Sequence, residues 1–111
     1  MILWHNPRCS KSRQTLALLH DASHQPSVRL YLQDPPDASE IIAMRNALGV
    51  TADGMIRRGE KLYKELGLAT ATEDQLLEAM AAHPILIERP ILIVGDKAAI
   101  GRPPESVLAI V

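Results

Sequence analysis

Apolar residues in this chain fall into two short strand-like runs at its ends and a helical pattern between them. Residues 1–4, MILW, form a brief apolar run expected to be a buried strand. Past Pro7, the stretch CSKSRQTLALLHDA repeats Leu16, Leu19 and Ala22 at helical spacing, with Ser10 or Ser12 placed to cap its start. SVRLYL (27–32) is rich in strand formers and reads as a second strand, completing a β-α-β unit. The punctuation DPPDAS leads into EIIAMRNALG, which puts Ile41, Met44 and Leu48 on one face and stops at Gly49. GMIRRGEKLYKELGL is weakly helical and interrupted by Gly59. TEDQLLEAMAAHP opens with Thr72 and Gln75 at capping-box spacing and ends before Pro84. ILIV (91–94), the turn GDK and AAIG (98–101) predict a hairpin, and PPESVLAIV a short closing helix with Pro103 or Pro104 in its first turn.

The resulting order is β-α-β, a helical insert at about residues 37–83, then β-β-α. This is the order of an α/β, thioredoxin-like fold with a mixed sheet. With 111 residues, no repeats and no linker, the expectation is a single domain spanning 1–111. The chain is 47% hydrophobic and 23% charged, as an ordered globular protein is. Twelve basic and 13 acidic residues leave a net charge of −1, so nothing in bulk draws it to nucleic acid or an anionic membrane. The apolar run PILIERPILIV is broken by Glu88 and Arg89 and cannot span a bilayer. The N-terminal run is too short for a signal peptide, and one cysteine shows no sign of an oxidising compartment, so a cytoplasmic location is expected.

That one cysteine, Cys9, carries the candidate chemistry. It falls between a strand and a helix, where free backbone N–H groups and the helix dipole favour an anion. His5, Arg8, Lys11 and Arg13 lie within four residues of it, surroundings that suit a thiolate better than a buried hydrophobe. Position 12 is serine, so no Cys-x-x-Cys redox pair exists, and Thr15 stands where a Cys-x5-Arg phosphate loop needs arginine. His20 and His24 lack a third ligand, and no metal is expected. Arg89 interrupts an apolar stretch and needs an anionic partner or a cleft. Arg102 follows a strand, at an end of the sheet. As a set the arginines point to an oxyanion.

The segments HNPRCSKSR, YLQDPP, RRGEKLYKELGL, HPILIERPILI and IGRPPE, at their spacing over essentially the whole chain, resemble the arsenate reductase family that uses glutathione and glutaredoxin. The resemblance implies Cys9 as the nucleophile that attacks arsenate, with His5 upstream and Ser12 offering a hydroxyl to the thiolate. It implies Arg57, Arg89 and Arg102 as the arginines around the oxyanion, Arg57 rather than the adjacent Arg58, and a cis bond before Pro90. No bound cofactor is implied. Glutathione is the co-substrate and glutaredoxin the protein partner, which accounts for a chain with one thiol. A monomer is expected. The alternatives are a non-enzymatic thiol-containing regulator or adaptor of the same fold, which Ser12 argues against, and a glutathione-dependent thiol transferase with another substrate.

Overall fold

A computed structural model describes residues 1–111. The chain forms two compact units, Met1–Asp34 with Arg89–Val111, and Pro35–Glu88. No helix in either is long and apolar enough to cross a membrane.

The first unit holds a four-stranded mixed sheet in the order β2-β1-β3-β4, the thioredoxin-like arrangement. β1 (Ile2–Trp4) pairs in parallel with β2 (Ser27–Arg29) and antiparallel with β3 (Ile91–Val94). β3 pairs antiparallel with β4 (Lys97–Ile100) across a turn in which Gly95 takes a φ of 62°. β2 is shorter than the strand-forming run suggests. The Leu30 carbonyl accepts the N–H groups of Gln33 (2.9 Å) and Asp34 (2.8 Å), so the chain turns where Leu30–Leu32 would have continued the ladder.

α1 (Ser10–Asp21) buries Ser12, Thr15 and Leu19, with Leu16 half-buried; Ala22 lies beyond its end and is exposed. Two polar residues are tolerated on this face because each is satisfied locally. The Thr15 hydroxyl donates to the Lys11 carbonyl at 2.8 Å, and Ser12 is bonded within the site described below. Leu3, Leu19, Leu92 and Val107 form the core, flanked by Leu16, Val94, Ala99 and Ile110. Val107 comes from the C-terminal segment Pro104–Ile110, which is a 3-10 helix with Pro104 in its first turn.

Gly101, just past β4, is required by space. A Cβ there would lie 2.5 Å from Thr15 Oγ1 and 2.8 Å from Pro90 Cγ, both on constrained side chains. Gly101→Ala should therefore destabilise the protein by about 1–3 kcal/mol, the usual cost of overpacking. A urea titration measures this; an unchanged midpoint would show that the contact relaxes freely.

The second unit is helical. α2 (Ala38–Leu48) starts at a capping box formed by Asp37 and Glu40 and ends at Gly49, whose φ is 69°. α3 is only Lys61–Glu65. α4 (Glu73–Ala82) begins with the expected Thr72–Gln75 capping box. α2 and α4 pack together, burying Ile41 and Met44 from one and Leu76, Leu77 and Met80 from the other. Glu73 braces them: its Oε1 accepts the Ala52 N–H at 2.8 Å and lies 3.3 Å from Arg45 Nη1. The unit runs past residue 83 because a 3-10 turn (Pro84–Leu86) and a single antiparallel bridge between Ile56 and Ile87 tie its end down.

Candidate active site

Strand register brings the candidate residues of the first unit to one end of the sheet. Trp4 ends β1 opposite Arg29, the end of β2, and opposite Ile91, the start of β3; Ile91 in turn faces Ile100, the end of β4. The segments leaving these positions are therefore neighbours: His5–Cys9 after β1, Leu30–Gln33 after β2, Arg89–Pro90 before β3, and Gly101–Arg102 after β4. Residues 93 apart in the chain meet here.

Cys9 is half-buried and occupies the N-cap of α1 with extended backbone (φ −94°, ψ 124°). Its sulfur makes no formal cap hydrogen bond, yet it stands where Asp or Ser oxygens usually meet the first-turn N–H groups. Arg102 Nη2 donates to it at 3.6 Å. The same guanidinium is anchored from behind, its Nε donating to the Arg89 carbonyl at 3.0 Å. Burial of Cys9 favours the neutral thiol. The Ser12 N–H, the Arg89 charge, the Lys11 N–H and the Arg102 charge together outweigh burial and hold the pKa below that of an ordinary thiol.

The neighbouring cations in sequence play other parts. Arg13 Nη1 donates to the Pro7 carbonyl at 2.8 Å, and Lys11 acts on the thiol through its backbone. His5 is buried, and that burial, with the charge of Arg13, lowers its pKa, so it stays neutral near pH 7. The thiolate is thus favoured by two arginines distant in sequence and by the start of α1.

Ser12 requires a correction. The resemblance gave its hydroxyl to the thiolate, but the structure places Ser12 Oγ 2.6 Å from His5 Nδ1, where it also accepts the Asn6 N–H at 3.0 Å. What Ser12 offers the sulfur is its backbone N–H. The hydroxyl instead ties α1 to the loop before it, and the Cys9 N–H donating to the Asn6 carbonyl (3.0 Å) closes that loop. Asn6 is a residue that sequence reasoning passed over; its position beside Pro7 in a tight turn was the available signal.

The peptide bonds before Pro90 and Pro103 are both cis. Pro90 is buried, and its carbonyl accepts the Gly101 N–H at 2.9 Å, joining the start of β3 to the segment that carries Arg102. Arg57 belongs to the helical unit. Its N–H donates to the Leu86 carbonyl (2.7 Å), Nη1 to the Ile85 carbonyl (3.3 Å), and Nη2 pairs with Glu60 at 3.4 Å. Arg58 is exposed, with Nη2 donating to the Asp53 carbonyl at 3.3 Å.

A cavity of about 210 Å³ is lined by His5–Arg8 from the loop after β1 and by Leu30, Leu32 and Gln33 from the turn after β2. A larger, shallower one of about 430 Å³ lies in the helical unit among Leu66, Leu68, Gln75, Glu78 and His83. Cys9 lines neither of these cavities, so the site is defined by the groups around the sulfur: Arg102, Arg89 and the first turn of α1.

The sequence profile of the ArsC family matches residues 4–110. The arsenate reductase of Neisseria meningitidis serogroup A is 49% identical over 111 residues, 97% of this chain and 95% of that protein. The uncharacterized protein YfgD of Escherichia coli K12 is also 49% identical, over 98% of this chain and 94% of its own. A solved arsenate reductase from Vibrio cholerae, 46% identical, superposes with a TM-score of 0.96 over 99% of this chain and 96% of that one. With a match running nearly end to end, the chain belongs to the ArsC family.

Proposed function

We propose that this protein is an arsenate reductase in which Cys9 is the nucleophile and glutathione and glutaredoxin supply the reducing electrons. The observation that carries the reading is the Arg102 guanidinium at 3.6 Å from the Cys9 sulfur, with Arg89 beside it. A dianionic substrate and an anionic nucleophile repel each other, and fixed cations at the point of approach offset that repulsion. Arginine suits this because its planar fork holds two oxyanion oxygens and stays charged.

The Cys9 thiolate forms a bond to arsenic and an arsenate oxygen leaves as water after taking up protons. The sulfur of glutathione then bonds to the Cys9 sulfur, the sulfur–arsenic bond breaks, and its electron pair stays on arsenic. Arsenic(V) thereby becomes arsenite while two thiols become a Cys9–glutathione disulfide. Glutaredoxin takes glutathione from that disulfide and frees Cys9. The single thiol of the chain suffices because its partners bring the others.

Arsenite production tests this, coupled to NADPH oxidation through glutathione reductase in the presence of arsenate, glutathione and glutaredoxin. Turnover that stops when glutaredoxin is omitted supports the full scheme, and turnover with thioredoxin in its place would replace the reductant while keeping the reaction. No arsenite under any of these conditions, from folded protein, would favour a thiol transferase with another substrate.

A further inference from the structure

We infer that Gly101 is a positioning residue for the site: its bare Cα packs on Thr15 of α1, and that close approach sets Arg102 against the Cys9 sulfur. This deepens the proposed function by naming what aims its guanidinium, and it rests on the Arg102–Cys9 contact of that reading. A Cβ on Gly101 would lie 2.5 Å from Thr15 Oγ1, 3.2 Å from Thr15 Cγ2 and 2.8 Å from Pro90 Cγ. None of these atoms yields easily. Thr15 is fully buried, and its hydroxyl is held by the bond to the Lys11 carbonyl at 2.8 Å. Pro90 is buried too, and its ring is tied to the backbone and cannot rotate away.

Each neighbour of Gly101 is joined to the site. Thr15 belongs to the helix whose N-cap is Cys9, and its partner Lys11 lies in the first turn, which offers the sulfur the N–H groups of Lys11 and Ser12. The Gly101 N–H donates to the Pro90 carbonyl at 2.9 Å and the Arg102 N–H to the Ile100 carbonyl at 2.9 Å, so the backbone is fixed on both sides of the glycine. Arg102 follows by one Cα step, about 3.8 Å. Gly101 is therefore where the chain leaving β4 bears on the helix that carries the nucleophile.

The Arg102 guanidinium has little slack to absorb a displacement. Its Nε donates to the Arg89 carbonyl at 3.0 Å while Nη2 donates to the Cys9 sulfur at 3.6 Å. Ordinary van der Waals contact begins near 3.4 Å, so a Cβ at residue 101 must retreat from Thr15 Oγ1 by about 1 Å. A guanidinium carried back with it loses the sulfur, or keeps the sulfur by releasing the Arg89 carbonyl. Either way the charge is no longer held in place, and a misplacement of about 1 Å is enough to spoil a preorganised donor.

The pH dependence of Cys9 alkylation by iodoacetamide tests this without arsenate. The charge of Arg102 favours the thiolate, so its displacement moves the half-maximal pH upward. Gly101→Ala should raise that pH by about 0.3–0.7 units, the scale of losing a partly exposed charge pair. In an Arg102→Leu background the same substitution should add less than about 0.2 units, because the contact it disturbs is already gone. A purely structural loss would act alike in both backgrounds. Thr15→Ala removes one of the two obstructing side chains, so Gly101→Ala should shift the Thr15→Ala protein less than it shifts the wild type. If Gly101→Ala alone does not fold, the cycle with Arg102→Leu is run in the Thr15→Ala protein, where Pro90 still displaces residue 101, and the same comparison decides. An unchanged half-maximal pH in folded protein carrying Gly101→Ala, or an equal shift with and without Arg102, would overturn the positioning role. A protein that shows this coupling but makes no arsenite would retain the positioning role and lose the arsenate reaction.

Discussion

Cys9→Ser is expected to reduce arsenite formation by at least about a thousandfold, the scale of losing a covalent nucleophile, while leaving the fold intact. The loss has two chemical causes. A serine hydroxyl at this position is not ionised near neutral pH, because the N–H groups and arginines that favour a thiolate shift a pKa by a few units and an alcohol needs many more. Nor can oxygen form the disulfide with glutathione through which arsenic gains its electrons. Stability should change by less than about 0.5 kcal/mol, because the residue is half-buried and lies outside the Leu3–Leu19–Leu92–Val107 core. Arsenite is measured in the coupled assay, and the fold by circular dichroism and urea midpoint. Residual turnover above a few per cent would mean that another group performs the attack.

The second large effect belongs to Arg102. Its guanidinium reaches the sulfur and favours the thiolate, and in the proposed reaction it would meet the arriving oxyanion. Arg102→Leu should lower kcat/KM for arsenate by about 10²–10³, as loss of an aimed charge donor does elsewhere, and should raise the pH at which Cys9 ionises. Arg102→Lys restores a charge but not the fork that bonds both the sulfur and the Arg89 carbonyl, so it should recover only part of the loss. Because Arg102 is exposed, the urea midpoint should move little. Steady-state kinetics over a range of arsenate concentrations separates these outcomes. An Arg102→Leu variant with unchanged kcat/KM would remove the oxyanion role from this residue.

What the sequence revealed depended on how local each feature was. The Thr72–Gln75 box, the stop at Gly49 and the hairpin around Gly95 involve residues within a few positions of one another, and all were legible. The end of β2 was not, because Leu30–Leu32 have good strand formers and the turn there is imposed by main-chain bonds from Gln33 and Asp34. Electrostatics at Cys9 misled for a related reason. Proximity in sequence marked Arg8, Lys11 and Arg13 as the cations of the thiolate, whereas strand pairing delivers Arg89 and Arg102 and leaves Arg13 on the Pro7 carbonyl. The hydroxyl of Ser12 had two possible uses that spacing alone did not separate; only the placement of His5 and Asn6 shows which one it serves. Gly101 gave no local hint of its importance, since the atoms that exclude a side chain belong to Thr15 and Pro90.

Helix α1 and two distant arginines favour the Cys9 thiolate, and the pH dependence of its alkylation measures that preference. With one cysteine in the chain, iodoacetamide modification followed by mass spectrometry reports on that sulfur alone. A depressed pKa means that the thiolate persists to lower pH, so the rate should reach half its maximum below the free-thiol value of about 8.5, and Arg102→Leu should move that midpoint upward. A midpoint at or above about 8.5 in the unsubstituted protein, unmoved by Arg102→Leu, would contradict the account.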